Sequence, residues 1–277
     1  MRTWDEAASR WLDETRFKAT HDEDRVKLKW IAGHLGGLLL SAVDGDQVAR
    51  LGRIKADATT PATANRYLAL VRAILRRSCK VWEWIERAPA VVLYPERNRR
   101  IRWLSPEQVR VLLDELPLHQ RSVVLFALAT GLRQGNVLGL EWSQVDTVKR
   151  LAWIHADQAK ARQAIRVPLS ETALQVLARC RGDHPTAVFT YRGKRLRSAN
   201  TRAWRNALSR AGIEDFRWHD LRHTWASWHA QHGTPLYVLQ ELGAWRSESM
   251  VKRYAHLTPC HYAHHAETVS QLLLPIA

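Results

Sequence analysis

The apolar residues of the first ninety positions recur with the period of a helix. In the segment TWDEAASRWLDET, the side chains of Ala7, Trp11 and Leu12 fall on one helical face. Thr3 stands at its start and Glu6 comes three residues later, which is the pattern of a capping box. We therefore predict that the N-terminal region is built from helices.

A longer helical pattern follows in TPATANRYLALVRAILRRSCKVWEWI. Its apolar face holds five side chains at helical spacing: Tyr67, Leu68, Val71, Ile74 and Leu75. Its other face carries five cations: Arg66, Arg72, Arg76, Arg77 and Lys80. A basic face is most often simply solvated, but few acidic residues accompany this one. It is therefore also a candidate for lying along a phosphate backbone.

The helical pattern breaks in APAVVLYPERNRRIRWLSPEQ, which contains prolines and a run of arginines: Arg97, Arg99, Arg100 and Arg102. This composition is typical of an interdomain linker. Ser105, Pro106 and Gln108 then supply an N-cap, a first-turn proline and a capping-box partner. We expect three segments along the chain: a helical domain over 1–95, a basic linker over 96–104 and a second domain over 105–277.

The period of the apolar positions changes inside the second domain. After a helix around 106–116 and an apolar helix that ends at Gly131, the runs LAWIHA, QAIRVPLS and AVFTYR read as short strands. The pattern is helical again over five segments: 171–181, 198–211, 219–231, 235–242 and 247–256. The chain is thus predicted to be α+β and mostly α, with a small sheet between helices.

The composition fits a folded protein, since 46% of the 277 residues are hydrophobic and 13 are tryptophan. No apolar run approaches the length of a membrane span, and the charged start MRTWDEAASRWLDETR has no signal-peptide core. We expect a soluble, cytoplasmic protein that does not bind membranes. The three cysteines, Cys79, Cys180 and Cys260, are too few and too widely spaced to indicate a disulfide framework or a zinc site.

The charge balance points to a polyanionic partner. Lys plus Arg is 42 against 27 acidic residues, which gives a net charge of +15 and a pI of about 10.4. Arginine predominates among the cations, and its planar fork of donors suits phosphate groups. Neither end of the chain carries a basic amphipathic anchor, so nucleic acid is favoured over a membrane surface.

Separated segments of the second domain carry side chains that suit one phosphate. Arg133 follows Gly131 where an apolar helix ends, and Lys160 lies at the predicted tip of a hairpin. His219 and Arg222 are three residues apart on a predicted helix, so they share a face. Taken alone, the arginine and the lysine also fit ordinary surface positions.

A further segment, GAWRSESMVKRYAHLTP, places Trp245 nine residues before Tyr254. A tyrosine in a helical context commonly packs its ring into a core, so this segment alone does not separate packing from chemistry. His219 and His223 form an HxxxH pair, which raises a metal site as an alternative. A third ligand at suitable spacing is missing, and Arg222 between them would repel a cation.

In this order, ATGLRQGNVLGLEWSQVD, HDLRHTWAS and LGAWRSESMVKRYAHL resemble the boxes of the tyrosine recombinase (phage integrase) family. The resemblance implies a helical core-binding (SAM-like) domain and a catalytic domain of helices with a small antiparallel sheet. It also implies six active-site residues: Arg133, Lys160, His219, Arg222, Trp245 and Tyr254. Asn136 stands where many members carry a glutamate, and Trp245 where many carry a histidine.

The reaction implied by the resemblance is site-specific DNA recombination in a mobile element. Tyr254 would attack a phosphodiester and form a covalent 3′-phosphotyrosyl intermediate, while Arg133 and Arg222 clamp the phosphate oxygens. Lys160 is the expected acid for the leaving 5′-oxygen, and His219 the expected acceptor of the tyrosine proton. No cofactor and no metal are expected, because these segments hold no cluster of carboxylates for a two-metal mechanism.

The partners implied by the resemblance are double-stranded DNA and three further copies of the chain, in a homotetramer on two DNA sites. The arginines expected to contact DNA are Arg66, Arg72, Arg76, Arg77, Arg99 and Arg100. The tail HYAHHAETVSQLLLPIA reads as one more amphipathic helix, which either docks on a neighbouring protomer or packs on its own chain. The expected location is the cytoplasm, at the nucleoid.

Two other functions fit the same resemblance. One is a DNA-binding regulator that has kept the fold without the reaction, and the other is a topoisomerase-like enzyme that relaxes DNA without a partner site. Tyr262 is the rival nucleophile, but it lies in the histidine-rich segment CHYAHHAE, without a matching box around it.

Overall fold

The structure is a computed structural model that describes residues 1–96, 101–159 and 162–258. The chain divides into two compact units, Met1–Arg99 and Arg100–Ala277. Each unit has a hydrophobic core of its own.

The first unit is helical, as its pattern predicts. Its α-helices are α1 Trp4–Glu14, α2 His21–Leu35, α3 Gly45–Ala58 and α4 Pro61–Lys80. The capping box at the start of α1 is confirmed, since the Glu6 amide donates to Thr3 Oγ1 at 3.3 Å and the Thr3 amide to Glu6 Oε2 at 2.7 Å. The apolar face of α4 packs into the core through Leu68, Val71 and Ile74.

The second unit is mixed, with eight α-helices among its described residues. They are α5 Pro106–Glu115, α6 Leu118–Thr130, α7 Gln134–Leu138, α8 Glu171–Cys180, α9 Arg202–Arg210, α10 Asp220–Gln231, α11 Leu236–Leu242 and α12 Glu248–Val251. A 3₁₀ segment, Lys252–Leu257, continues α12. The helix predicted over 198–211 begins at Arg202, because Thr201 Oγ1 caps it by accepting from the Trp204 amide.

Two small antiparallel sheets interrupt these helices. Strands β1 Val145–Asp146, β2 Leu151–Ile154 and β3 Ile165–Pro168 form one sheet in that order. The run AVFTYR does not join it, since β4 Thr190–Tyr191 pairs only with β5 Lys194–Arg195. Ile154 pairs with Ile165, so β2 and β3 are neighbours in this sheet. The predicted hairpin lysine, Lys160, lies outside the described residues.

Helix α10 is the central support of the second unit. It packs on α6, on α11 and on the 3₁₀ segment. The Leu104 amide donates to Thr224 Oγ1 at 3.2 Å, and Trp228 Nε1 donates to the Leu104 carbonyl at 3.0 Å. These bonds fix the start of α5 on α10. Among the described residues, no helix is long and apolar enough to cross a membrane.

Candidate active site

Arg222 joins three segments of the second unit. It lies in the first turn of α10 and is only 5% exposed. Its Nη1 donates to the Gly131 carbonyl at 2.6 Å, and its Nη2 donates to the Gly243 carbonyl. The end of α6 and the end of α11 are therefore tied to one guanidinium, which still has three N–H groups for other partners.

Both glycines that accept from Arg222 allow an aromatic ring to approach the backbone. Gly131 ends α6 with φ +63°, and a Cβ placed there would lie 2.3 Å from the ring of Trp225. A Cβ on Gly243 would lie 2.3 Å from the ring of Trp245. Any larger residue at these two positions would displace a ring or the carbonyl that orients Arg222.

Arg133 brings a second guanidinium to this region. It is half-buried and occupies the N-cap position of α7, directly after the turn at Gly131 and Leu132. Burial lowers the pKa of Arg133, and burial together with the charge of Arg133 lowers the pKa of Arg222 to about 9. Within residues 1–96, 101–159 and 162–258, no carboxylate forms an ion pair with either arginine.

Two neighbouring cations without a counter-ion are costly in a folded protein unless an anion completes the site. The fork of each guanidinium matches the oxygens of a phosphate. The pair is therefore chemically suited to bind a phosphate or another oxyanion.

Trp245 packs under one of these cations. The Cζ of Arg222 lies 4.4 Å from the centre of the indole ring, which is a cation–π contact. The backbone of Trp245 is fixed at the end of α11, because its amide donates to the Gln240 carbonyl and its carbonyl accepts from Gln240 Nε2. The ring face thus holds the guanidinium in place, whatever the indole N–H binds.

Tyr254 is buried beside this pair. It lies in the 3₁₀ segment, is 1% exposed, and its ring centre is 5.8 Å from that of Trp245. Its hydroxyl lies 2.5 Å from Nδ1 of His223, one residue after Arg222 on α10. Burial raises the pKa of Tyr254 to about 12, although the charges of Arg253 and Arg222 act to lower it.

The histidine that contacts the tyrosine is His223 rather than His219. Burial lowers the pKa of His223 to about 4, so the ring is neutral. In the tautomer that carries its proton on Nε2, Nδ1 accepts from the phenol. His219 precedes α10 and is exposed, with its ring centre 5.3 Å from that of His223. Although the residue is exposed, partial desolvation of its ring by the surrounding protein lowers its pKa, and so do the charges of Arg222 and Arg133.

Sequence reasoning treated His223 only as half of a metal pair. Its spacing from His219, one helical turn, was the available signal that both rings lie at the same site. Among the described residues, no group of three or more His, Cys, Asp or Glu side chains is placed to hold a metal ion.

Arg253 is a third cation that sequence reasoning missed. It directly precedes Tyr254, and its charge lowers the pKa of both Tyr254 and His223. Its Nε is buried, and within the described part of the chain this nitrogen has no hydrogen-bond partner. Only its place next to the tyrosine could have drawn attention to it.

Asn136 replaces the expected glutamate without leaving a gap. It is buried in α7, and its Nδ2 donates to the Gln158 carbonyl at 3.2 Å. Gln144 Nε2 donates to Gln158 Oε1 at 2.8 Å, so two side chains hold the connection that follows β2. Lys160, two residues further on, lies outside the described residues.

The basic face of α4 is only partly free. Arg66 and Arg76 are exposed, while Arg72 is half-buried. Arg77 is committed to Glu14, since its Nε donates to Glu14 Oε2 at 2.6 Å. The predicted contacts Arg99 and Arg100 lie outside the described residues.

Comparisons with known proteins agree on one family. The model of the phage integrase family matches residues 102–261. The integrase of Salmonella phage P22 is 37% identical over 98% of this chain and 80% of its own length. The integrase of Escherichia phage 186 is 32% identical over 78% of this chain, but the alignment covers only 62% of that protein. A solved lambda integrase tetramer bound to a Holliday junction has the same fold, with a TM-score of 0.76 at 18% identity over 91% of this chain and 77% of that one.

Proposed function

The chain belongs to the phage integrase family of tyrosine recombinases, and from that premise we propose the reaction and its residues. The protein is a site-specific DNA recombinase that cleaves and rejoins strands through a 3′-phosphotyrosyl bond to Tyr254. The observation that carries this proposal is a pair of neighbouring arginines, Arg133 and Arg222, which have no carboxylate partner among the described residues. Arg222 lies next to the buried Tyr254.

The arginines bind the scissile phosphate. In-line attack by Tyr254 builds negative charge on the non-bridging oxygens, and the free N–H groups of Arg133 and Arg222 neutralise it. Because two carbonyls and an indole face fix Arg222 beforehand, little reorganisation is needed when the charge develops. His219, exposed at the start of α10, adds a ring N–H to the same oxygens.

The leaving 5′-oxygen receives its proton from Lys160, as the family resemblance implies. The bonds from Asn136 and Gln144 to Gln158 support this role, because they anchor the chain just before the lysine. The phosphotyrosyl bond keeps the energy of the phosphodiester. A 5′-hydroxyl from a second duplex then reverses the step and exchanges strands.

Double-stranded DNA is the proposed substrate, bound by several copies of the chain. The net charge of +15 and the exposed Arg66 and Arg76 on α4 support contact with phosphates. The assembly proposed is a homotetramer on two DNA sites, by likeness to the lambda integrase tetramer. Exchange of the C-terminal tail between protomers is part of the proposal, although residues 259–277 lie outside the described residues.

A covalent-trapping experiment tests the nucleophile. The substrate is a duplex with the protein's own crossover site, selected by binding from random sequences and nicked so that the short 5′-hydroxyl fragment diffuses away. We expect the wild-type protein to accumulate a covalent adduct, and Tyr254→Phe to form none while binding the duplex normally. Tyr262→Phe is the matched control and should form the adduct. An adduct with Tyr254→Phe would show that another residue is the nucleophile, and binding without any adduct would favour the non-catalytic regulator.

A further inference from the structure

We infer that His223 is the general base of strand cleavage and takes the phenolic proton from Tyr254 as the hydroxyl attacks phosphorus. This inference deepens the proposed function and rests on it, since it assumes that Tyr254 is the nucleophile. His223 takes the role that the sequence analysis predicted for His219, which is to accept the proton of the tyrosine.

The geometry selects His223 because it already touches the reacting atom. Its Nδ1 lies 2.5 Å from the Tyr254 hydroxyl, close enough for direct proton transfer without a bridging water. The contact joins α10 to the 3₁₀ segment across 31 positions of sequence, so the packing of the two elements creates it. Among the described residues, the hydrogen bond of the Tyr254 hydroxyl is to His223 and not to His219.

Before DNA binds, the surroundings of His223 keep its ring neutral, so that the ring is able to accept a proton. Two of the groups that face it, His219 and Arg222, stand at the start of its own helix, α10. The other two, Arg253 and Tyr254, lie on the 3₁₀ segment. Burial and the three positive or ionisable neighbours hold its pKa near 4, and burial holds the pKa of Tyr254 near 12. The proton therefore stays on the phenol until something changes this balance.

A bound phosphate supplies that change. Its negative charge beside Arg133 and Arg222 offsets the cations that oppose protonation of the imidazole, so the pKa of His223 rises when DNA is in place. The same phosphate provides the electrophile. The tyrosine is thus kept protonated in the free protein and is deprotonated only where a phosphodiester is ready to react.

The step balances without a further reactant. The Tyr254 O–H bond breaks and its proton forms an N–H bond at His223 Nδ1, while an oxygen lone pair makes the new O–P bond. The P–O5′ bond breaks, and the 5′-oxygen takes a proton from the acid, Lys160 in the proposed function. In the rejoining step, the incoming 5′-hydroxyl returns its proton to the acid and Tyr254 regains its own from Nδ1.

The test compares His223→Asn and His223→Ala with the wild-type protein in single-turnover adduct formation on the nicked duplex. The amide of Asn can accept a hydrogen bond but cannot take a proton, so it separates holding the tyrosine from acting as a base. We expect both variants to fold and bind the duplex, and to form the adduct about 10²–10⁴-fold more slowly. Added imidazole should partly restore the rate of His223→Ala.

A second substrate separates the base from the acid. Sulfur in place of the bridging 5′-oxygen leaves without a proton, so it should rescue Lys160→Ala but leave the defect of His223→Asn. The pH dependence of the adduct rate is the third measurement. The wild-type rate should fall as pH decreases through the pKa that His223 has in the complex, and His223→Asn should lose this limb.

Several results would contradict the role of His223 as a base. If His223→Asn forms the adduct at the wild-type rate, the histidine only positions the tyrosine and the inference is wrong. A faster rate in either variant also overturns it, because His223 would then restrain the tyrosine. If the wild-type protein forms an adduct that survives Tyr254→Phe, or none at all, the proposed function itself fails and the inference fails with it.

Discussion

The N-terminal unit and the second unit surround their buried charges differently. In the first, Asp24 is 3% exposed and accepts from Lys18 Nζ at 2.6 Å and from Trp11 Nε1 at 3.1 Å. In the second, Arg222 is 5% exposed, yet its partners among the described residues are two backbone carbonyls and an indole face. A buried charge with a counter-ion serves a structural role, whereas a buried charge without a counter-ion is available to bind a charged ligand.

The presence of a carboxylate partner also divides the arginines of this basic chain into two classes. Arg77 and Arg210 each pair with a glutamate, and Arg121 pairs with an aspartate. Arg133 and Arg222 have no such partner in the described ranges, and the charge of Arg222 interacts with both Arg133 and the tyrosine. Net charge alone indicates a polyanion as partner. The lack of a carboxylate beside these two arginines, among the described residues, is what makes them our proposed phosphate site.

Among the changes that test this comparison, Arg222→Ala is expected to have the largest effect. We predict that single-turnover adduct formation falls by about 10³-fold, because a preorganised donor to the developing charge is lost. The matched control is Arg210→Ala, which removes a paired arginine of the same unit and should leave the rate unchanged. Equal losses in both variants would erase the distinction between paired and unpaired arginines.

Gly131→Ala should disturb the frame that holds Arg222. The methyl group meets the Trp225 ring and the residue must keep a positive φ, so we expect the free energy of unfolding to fall by about 2–3 kcal/mol. Adduct formation should also slow, because the Gly131 carbonyl shifts. Gly135→Ala is the control, since a Cβ there meets nothing within 4 Å. Urea denaturation and the adduct assay of both variants give the answer, and unchanged kinetics in Gly131→Ala would contradict the framing role.

Asp24→Ala tests the opposite side of the comparison. Removing a paired, buried carboxylate should lower the free energy of unfolding of the N-terminal unit by about 2 kcal/mol, since Lys18 and Trp11 lose their acceptor. The cleavage rate on bound DNA should not change. Asp24→Asn keeps an acceptor for Trp11 and should lose less stability. A slower chemical step in Asp24→Ala would mean that the charge does more than support the fold.

The smallest effect concerns the stability of the second unit at acidic pH. The folded pKa of His223 lies near 4, below the ordinary value of 6.5, so the unfolded chain binds more protons between these values. The stability is fully present above pH 6.5 and falls as pH decreases towards 4. Urea midpoints at several pH values should show this slope, and a shallower one in His223→Asn. Identical slopes in the two proteins would contradict a neutral, half-buried His223.

Helix caps and other contacts between residues close in sequence could be predicted from the sequence. Contacts between side chains on separate elements could not. The caps at Thr3 and Ser105 depend on residues three positions apart, so the sequence pattern alone predicts them. The contact between His223 and Tyr254 spans two elements, and so do the carbonyl partners of Arg222. Such contacts follow from how α6, α10 and α11 pack, which no spacing rule states.

The most direct test of the unpaired arginines replaces one non-bridging oxygen of the scissile phosphate by a methyl group. This methylphosphonate carries no negative charge, so it removes the need for a cation while the rest of the substrate is unchanged. The measurement is the adduct rate of the wild-type protein and of Arg222→Ala on both substrates. If Arg222 acts by neutralising the phosphate, the loss of about 10³-fold on the ordinary duplex should largely vanish on the methylphosphonate. An equal loss on both substrates would show that Arg222 only ties Gly131 to Gly243, and it would contradict the phosphate site.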